Sequence, residues 1–191
     1  MLNRYRDTPD VMSITASNMQ PQDRHYDASY YFSCFNHVWG WASWRRAWVH
    51  FDASLDDLET DAAQHTIASA CPAEGSDSFW LNALRRVRDG HTDSWAVPWL
   101  LSQWKAGGLT VTPSVNLMQN IGFDDAGTHT TSADQWEAGL RALPLPFPLT
   151  HPDRIEQNVE ADTHVARNVF HIKPVSLSKR LRRWLRGQPN P

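Results

Sequence analysis

The sequence predicts an α/β fold: a few strands of a mixed sheet with helices around it. Three observations carry this. Val11-Met12-Ser13-Ile14-Thr15 alternates as a half-buried strand does. Leu109-Thr110-Val111-Thr112-Pro113 is a second short strand, closed by its proline. Between them the apolar period changes from two to 3.6. Phe79, Trp80, Ala83, Leu84 and Val87 share one helical face, and Trp95, Trp99, Leu100 and Trp104 share another.

The elements follow in chain order. Residues 1–8 read as the tail of a helix, so the chain opens as if from the middle of an α/β fold. Pro9-Asp10 then makes a turn into the first strand. Residues 18–29 are polar and loop-like, and Tyr30-Tyr31-Phe32-Ser33 is an aromatic strand. Trp39 and Trp41 flank Gly40, which marks a turn or strand end where a backbone or ligand can come close. Trp44, Ala47 and Trp48 recur at helical spacing. Residues 53–76 are polar and rich in acids. Gly90 ends the 78–87 helix and Gly107-Gly108 the next, with Asp93 or Ser94 as its cap and Pro98 in or near its first turn. Residues 136–142 read as a short helix weakened by Gly139. The run LPLPFPLTHP (143–152) cannot be helical and reads as an extended strap. Residues 153–172 carry weak signals. Leu177, Leu181, Trp184 and Leu185 align on a basic amphipathic helix over 177–186. The organisation is therefore a body over 1–142, a proline-containing extension over 143–176, and a basic tail over 177–191.

Composition narrows the function classes. The chain has 191 residues and a net charge of −3, with 41% hydrophobic and 20% charged residues. That suits a globular domain able to bury a core, and it argues against broad nucleic-acid binding. The residues from Lys173 onward hold six cations and no acid, so the rest of the chain stands at −9. Cys34 and Cys71 form no disulfide framework, and no C-x-x-C is present. The N-terminus has no signal-peptide pattern, and no apolar run approaches the ~18 residues of a membrane span. These features predict a cytoplasmic chain with reduced thiols. Ten tryptophans, against four tyrosines and seven phenylalanines, exceed what a small core needs. Some should line a surface that holds a flat or ring-shaped ligand.

Three constellations could carry chemistry. In the Trp39–Trp48 segment, indole faces can stack on sugar rings while Arg45 and Arg46 meet phosphates or carboxylates. About half of the indoles belong to the core, and Trp39 and Trp41 rather than Trp44 or Trp48 face a ligand. Asp93, beside Trp95, is either a helix cap or a general base. Asp124, Asp125 and His129 on a glycine-containing loop either ligate a divalent cation or form a solvated turn. The basic helix of 177–186 either lies on an anionic membrane face or docks on the acidic body. No G-x-S-x-G, Walker or G-x-G-x-x-G motif occurs, and nothing supports a Ser or Cys nucleophile.

Three segments, SYYFSCFNHVWGWASWRRAW (29–48), DSWAVPW (93–99) and NIGFDDAGTHT (120–130), have an order and spacing that resemble the C-terminal half of bacterial family-2-like glycosyltransferases. These are nucleotide-diphospho-sugar transferases of the GT-A fold, several of which act on cell-surface polysaccharides. The similarity covers roughly residues 1–131. It implies a partial GT-A-like fold with the N-terminal nucleotide-binding half missing. That missing half would carry the acidic D-x-D motif, which holds Mn²⁺ or Mg²⁺ against the diphosphate; no D-x-D precedes Val11 here. The resemblance implies that Trp39, Gly40, Trp41 and Trp44 line the sugar and acceptor cleft. It also implies that Arg45 or Arg46 meets a phosphate and that Trp95 contacts substrate. Asp93 becomes the candidate base, and His129 with Asp124 or Asp125 closes the donor site around the cation. Pro98 departs from the pattern, where related sequences carry Arg or Gln.

The function expected is transfer of a sugar from a nucleotide-diphospho-sugar to a cell-surface polysaccharide or glycan acceptor, by single displacement with a carboxylate base. The alternatives are a non-catalytic carbohydrate-binding module and an interaction protein whose tail meets the inner face of the membrane. A glycoside hydrolase ranks last, because Asp52, Asp56 and Asp57 are paired acids only by proximity. A sheet without its first half would expose an edge and an apolar face, and so self-associate.

Overall fold

The computed structural model describes residues 1–119 and 140–174. The protein is mixed α/β and divides into two compact units. The first comprises Met1–Val49 and Gly108–Asn158, and the second His50–Gly107 and Val159–Pro191.

The first unit is built on a four-stranded open sheet. Its strands are β1 (Val11–Ile14), β2 (Tyr30–Ser33), β3 (Ala42–Ser43) and β4 (Leu109–Pro113), in the spatial order β2-β4-β1-β3. β1 and β4 run parallel, with Val11 opposite Leu109 and Ile14 opposite Val111. β2 lies antiparallel to β4, and β3 antiparallel to β1. All four residues of β2 are buried, consistent with cover on both faces. Tyr5, Val11, Tyr30, Phe32 and Val111 form the core, with edge-to-face ring pairs at 5.7–6.2 Å among Tyr5, Tyr30 and Phe32.

The opening residues are not the tail of a helix. Single turns carry the chain into β1 instead: the Tyr5 N–H donates to the Met1 carbonyl, Thr8 to Tyr5, and Val11 to Thr8. Tyr5 is drawn into the core, where its hydroxyl meets that of Tyr30 at 2.6 Å. That contact dictates a turn where the sequence suggests helix. The proline-rich strap is extended and lies along β2. Ser29 N–H donates to the Thr150 carbonyl, the Tyr30 hydroxyl meets His151 Nδ1 at 2.9 Å, and Phe32 bridges Gln157. The outer edge of β2 is therefore occupied within the chain. β3, the other edge strand, is two residues long.

The second unit is helical. It holds α2 (Asp61–Ala70), α3 (Ser76–Arg88), α4 (Ala96–Lys105) and α5 (Val159–Asn168); the four-residue α1 (Arg45–Trp48) belongs to the first unit. α3 and α4 fall where the apolar period predicts. Trp80, Leu84, Trp99, Leu100 and Trp104 are buried, and Trp80 meets Trp104 and Phe170 edge-to-face. Pro98 causes no kink. It is the third residue of α4, within the first turn, where no intrahelical N–H bond is due. α2 is absent from the sequence expectation because its buried stripe is thin, only Ala63 and Ile67. Its start is set by Thr60, whose hydroxyl accepts from the Ala63 N–H at 3.2 Å. α5 lies in the stretch with weak signals and buries Ala161, Val165 and Ala166. Among the described residues no helix is long and apolar enough to cross a membrane.

Candidate functional site

The parallel pairing of β1 and β4 gives the first unit one distinguished end. Ligands of open α/β sheets favour the carboxyl ends of parallel strands, because the loops there are free to diverge. Three loops converge at that end here: residues 15–20 after β1, residues 36–41 before β3, and residues 114–118 after β4.

The loop before β3 is tied down through its main chain. The Thr15 hydroxyl donates to the His37 carbonyl at 2.5 Å, with the Trp39 carbonyl at 3.2 Å, and accepts from the Ser17 N–H at 3.0 Å. The Ala16 N–H donates to the Gly40 carbonyl at 2.9 Å. Gly40 sits at φ 61, and a Cβ there would lie 2.9 Å from Ala16 Cβ and 3.8 Å from Met118 Cβ. Only glycine fits both the left-handed backbone and that approach. The turn thus holds Trp39 and Trp41, both half-buried, on either side of an exposed glycine. The Trp41 ring lies 5.8 Å from that of Trp48, which is 40% exposed despite its helical spacing with Trp44 and Ala47.

Arg45 and Arg46 part company. Arg45 is exposed. Arg46 instead binds main chain: Nε donates to the Arg6 carbonyl at 2.6 Å, and Nη2 to the carbonyls of Tyr5 at 2.8 Å and Val11 at 2.7 Å. Its guanidinium lies 4.6 Å from the Trp44 ring centre, and Trp44 Nε1 donates to the Leu2 carbonyl at 3.1 Å. Desolvation pulls the Arg46 pKa below its ordinary value, partly countered by Asp7.

A buried polar network underlies these loops. Asn18 Nδ2 donates to the Pro113 carbonyl at 2.7 Å, and Asn18 Oδ1 accepts from the Gln20 N–H at 2.8 Å. Asn116 Oδ1 accepts from the Asn18 N–H at 3.2 Å. His37 is 6% exposed and lies at φ 34, and burial lowers its pKa from 6.5 to about 4. Sequence reasoning missed Thr15, Asn18, His37 and Asn116. A signal was present, because each parallel strand is followed within four residues by Ser and Asn, in VMSITASN and LTVTPSVN.

Asp93 and Trp95 belong to the second unit, so they are not grouped with the Trp39–Arg46 residues. Both are exposed on the loop entering α4. The N-cap of α4 is Trp95, and of Asp93 and Ser94 it is Ser94 whose hydroxyl accepts a helix N–H, from Val97 at 3.4 Å. Trp95, unlike Trp99 and Trp104 on the same predicted stripe, is 44% exposed. The hydrolase alternative finds little here. Asp57 pairs with Lys105 at 2.6 Å. Asp52 accepts from the Ser54 hydroxyl and N–H, which hold its carboxyl below the ordinary range, opposite to what a proton donor needs. Glu59 is clamped by Arg85 and Arg88, which lower its pKa to about 2.

Asp124, Asp125 and His129 lie outside the described residues, as does the 177–186 segment. Among the described residues no group of three His, Cys, Asp or Glu side chains gathers as a metal site would. No protein-family model, curated protein or solved structure matches the chain.

Proposed function

We propose that the chain acts as a glycosyltransferase that moves a sugar from a nucleotide-diphospho-sugar to a cell-surface polysaccharide or glycan. One observation carries this: the Trp39-Gly40-Trp41 turn stands at the carboxyl end of the parallel β1/β4 pair, held by main-chain bonds that leave its indoles part-exposed. Indole faces suit the C–H faces of pyranose rings, and an exposed glycine between them lets a ring approach the backbone. The ordered motifs of 29–48, 93–99 and 120–130 point the same way. The resemblance alone assigns Asp93, in the second unit, as the base that takes the proton from the acceptor hydroxyl as its oxygen attacks the anomeric carbon and the nucleoside diphosphate leaves. The resemblance likewise has Trp95 contact substrate, and Arg45 is the arginine left to meet a phosphate. The divalent cation rests on the resemblance alone.

A carbohydrate-binding module without catalysis is the second reading. The arrangement of Arg46 favours it, because this guanidinium, stacked on Trp44, is committed to three carbonyls and not offered to a diphosphate. Calorimetric titration with UDP- and GDP-hexoses, with and without Mn²⁺, separates the two. The transferase reading predicts metal-dependent binding that weakens at least tenfold in Arg45→Ala. Saccharide binding with no response to nucleotide sugars at millimolar concentration would overturn it in favour of the module.

A further inference from the structure

We infer that Asn116 is a positioning residue for the saccharide edge, acting by tying three loops to one buried carboxamide. The inference rests on the function proposed above. A carboxamide offers one acceptor oxygen and two N–H donors. Asn116 is 3% exposed, and every one of these groups is engaged. Its Oδ1 accepts from the Asn18 N–H at 3.2 Å, in the loop after β1. Its Nδ2 donates to the Met118 carbonyl at 2.5 Å and to the Arg141 carbonyl at 3.1 Å. Its own carbonyl accepts from the Leu143 N–H at 2.7 Å. The chain leaving at Met118 and the chain returning at Arg141 are thus held at a single nitrogen.

That nitrogen acts on the turn that carries the indoles through residues 117–118 and Ala16. The Leu117 N–H donates to the Ala16 carbonyl, the Ala16 N–H donates to the Gly40 carbonyl, and Met118 Cβ is the second contact of the Gly40 approach. Asn116 therefore fixes residues 117–118, these fix Ala16, and Ala16 fixes Gly40 between Trp39 and Trp41. A supporting shell of this kind holds recognition groups to the tolerance that binding requires. The side chain touches no ligand in this account.

Asn116→Asp tests it, since the shape and the acceptor persist while both donors vanish and a charge faces two carbonyls. Val11→Ala is the control, because it thins the core at the far end of β1 without touching the network. Both are assayed in the full chain well below their melting temperatures. The readout is saturation-transfer NMR with gluco-, galacto-, manno- and N-acetylglucosamine tetrasaccharides. The expected result is at least tenfold weaker binding in Asn116→Asp and less than twofold change in Val11→Ala. Equal losses in both, or wild-type affinity in Asn116→Asp, overturn the inference. Absence of binding in the folded wild type overturns the functional reading and, with it, the saccharide role of Asn116. Amide hydrogen exchange then decides the tie itself. Faster exchange at Leu117 and Leu143, with β2 and β4 unchanged, supports it; unchanged exchange at those two amides refutes it.

Discussion

Arg46→Ala is expected to destabilise the first unit by about 3 kcal/mol. Three carbonyls lose a charged donor, each such bond being worth roughly 1.5–3 kcal/mol before non-additivity is counted. Two of them belong to core residues: Val11, and Tyr5, whose carbonyl keeps only the longer bond from the Thr8 N–H at 3.3 Å. Arg46→Lys should recover less than half of the loss. An ammonium is a compact point charge and cannot span three carbonyls as a planar fork does, nor stack on Trp44. Urea denaturation followed by hydrogen exchange at Val11–Ile14 measures the effect. A phosphate-binding Arg46 would give the opposite pattern: stability within 0.5 kcal/mol of wild type, and nucleotide-sugar binding abolished.

Acid is expected to weaken the same unit through His37. Burial lowers the folded pKa from 6.5 to about 4, so the unfolded chain binds the proton more readily between those values. Stability is then fully present above pH 6.5, declines as the pH falls towards 4, and levels off below it. At 1.36 kcal/mol per pH unit, the whole decline is about 3 kcal/mol. His37→Asn should flatten the curve over this window, since Asn tolerates the left-handed backbone at φ 34 and does not titrate. The clamped Glu59 acts in a lower window. Its pKa is depressed to about 2, so its contribution is present above pH 4.5 and lost as the pH falls through 2. Denaturation midpoints from pH 8 to 3 check the assignment, and an unchanged slope between pH 6.5 and 4 in His37→Asn contradicts it.

Much of the fold is legible in the sequence wherever side chains repeat with a period. β1, β2, β4, α3 and α4 announce themselves through alternation or an apolar stripe, and Gly90 and Gly107 end their helices at positive φ. α2 and α5 do not, because each buries mainly small residues on a narrow face and draws its place from neighbours. The opening turns are misread for a related reason: a long-range contact, Tyr5 with Tyr30 and Phe32, overrides local preference. The site divides likewise. The indoles and Gly40 stand out by composition, as does Asp93 by its place before a helix. The roles of Arg46 and Asn116 are invisible in sequence, since both bind main-chain carbonyls, which leave no signature in residue identity. Arg46 reads as a ligand-binding cation and is found holding the chain together.

The proposed function rests on a saccharide site at the Trp39-Gly40-Trp41 turn. Saturation-transfer NMR of the full chain with pyranose tetrasaccharides, on wild type, Trp39→Ala and Trp41→Ala, tests it most directly. Ring-proton transfer is expected in wild type, with at least a tenfold loss of affinity in each variant and both variants folded by circular dichroism. Wild-type affinity in both variants, or no transfer to any saccharide from the folded wild type, would contradict it.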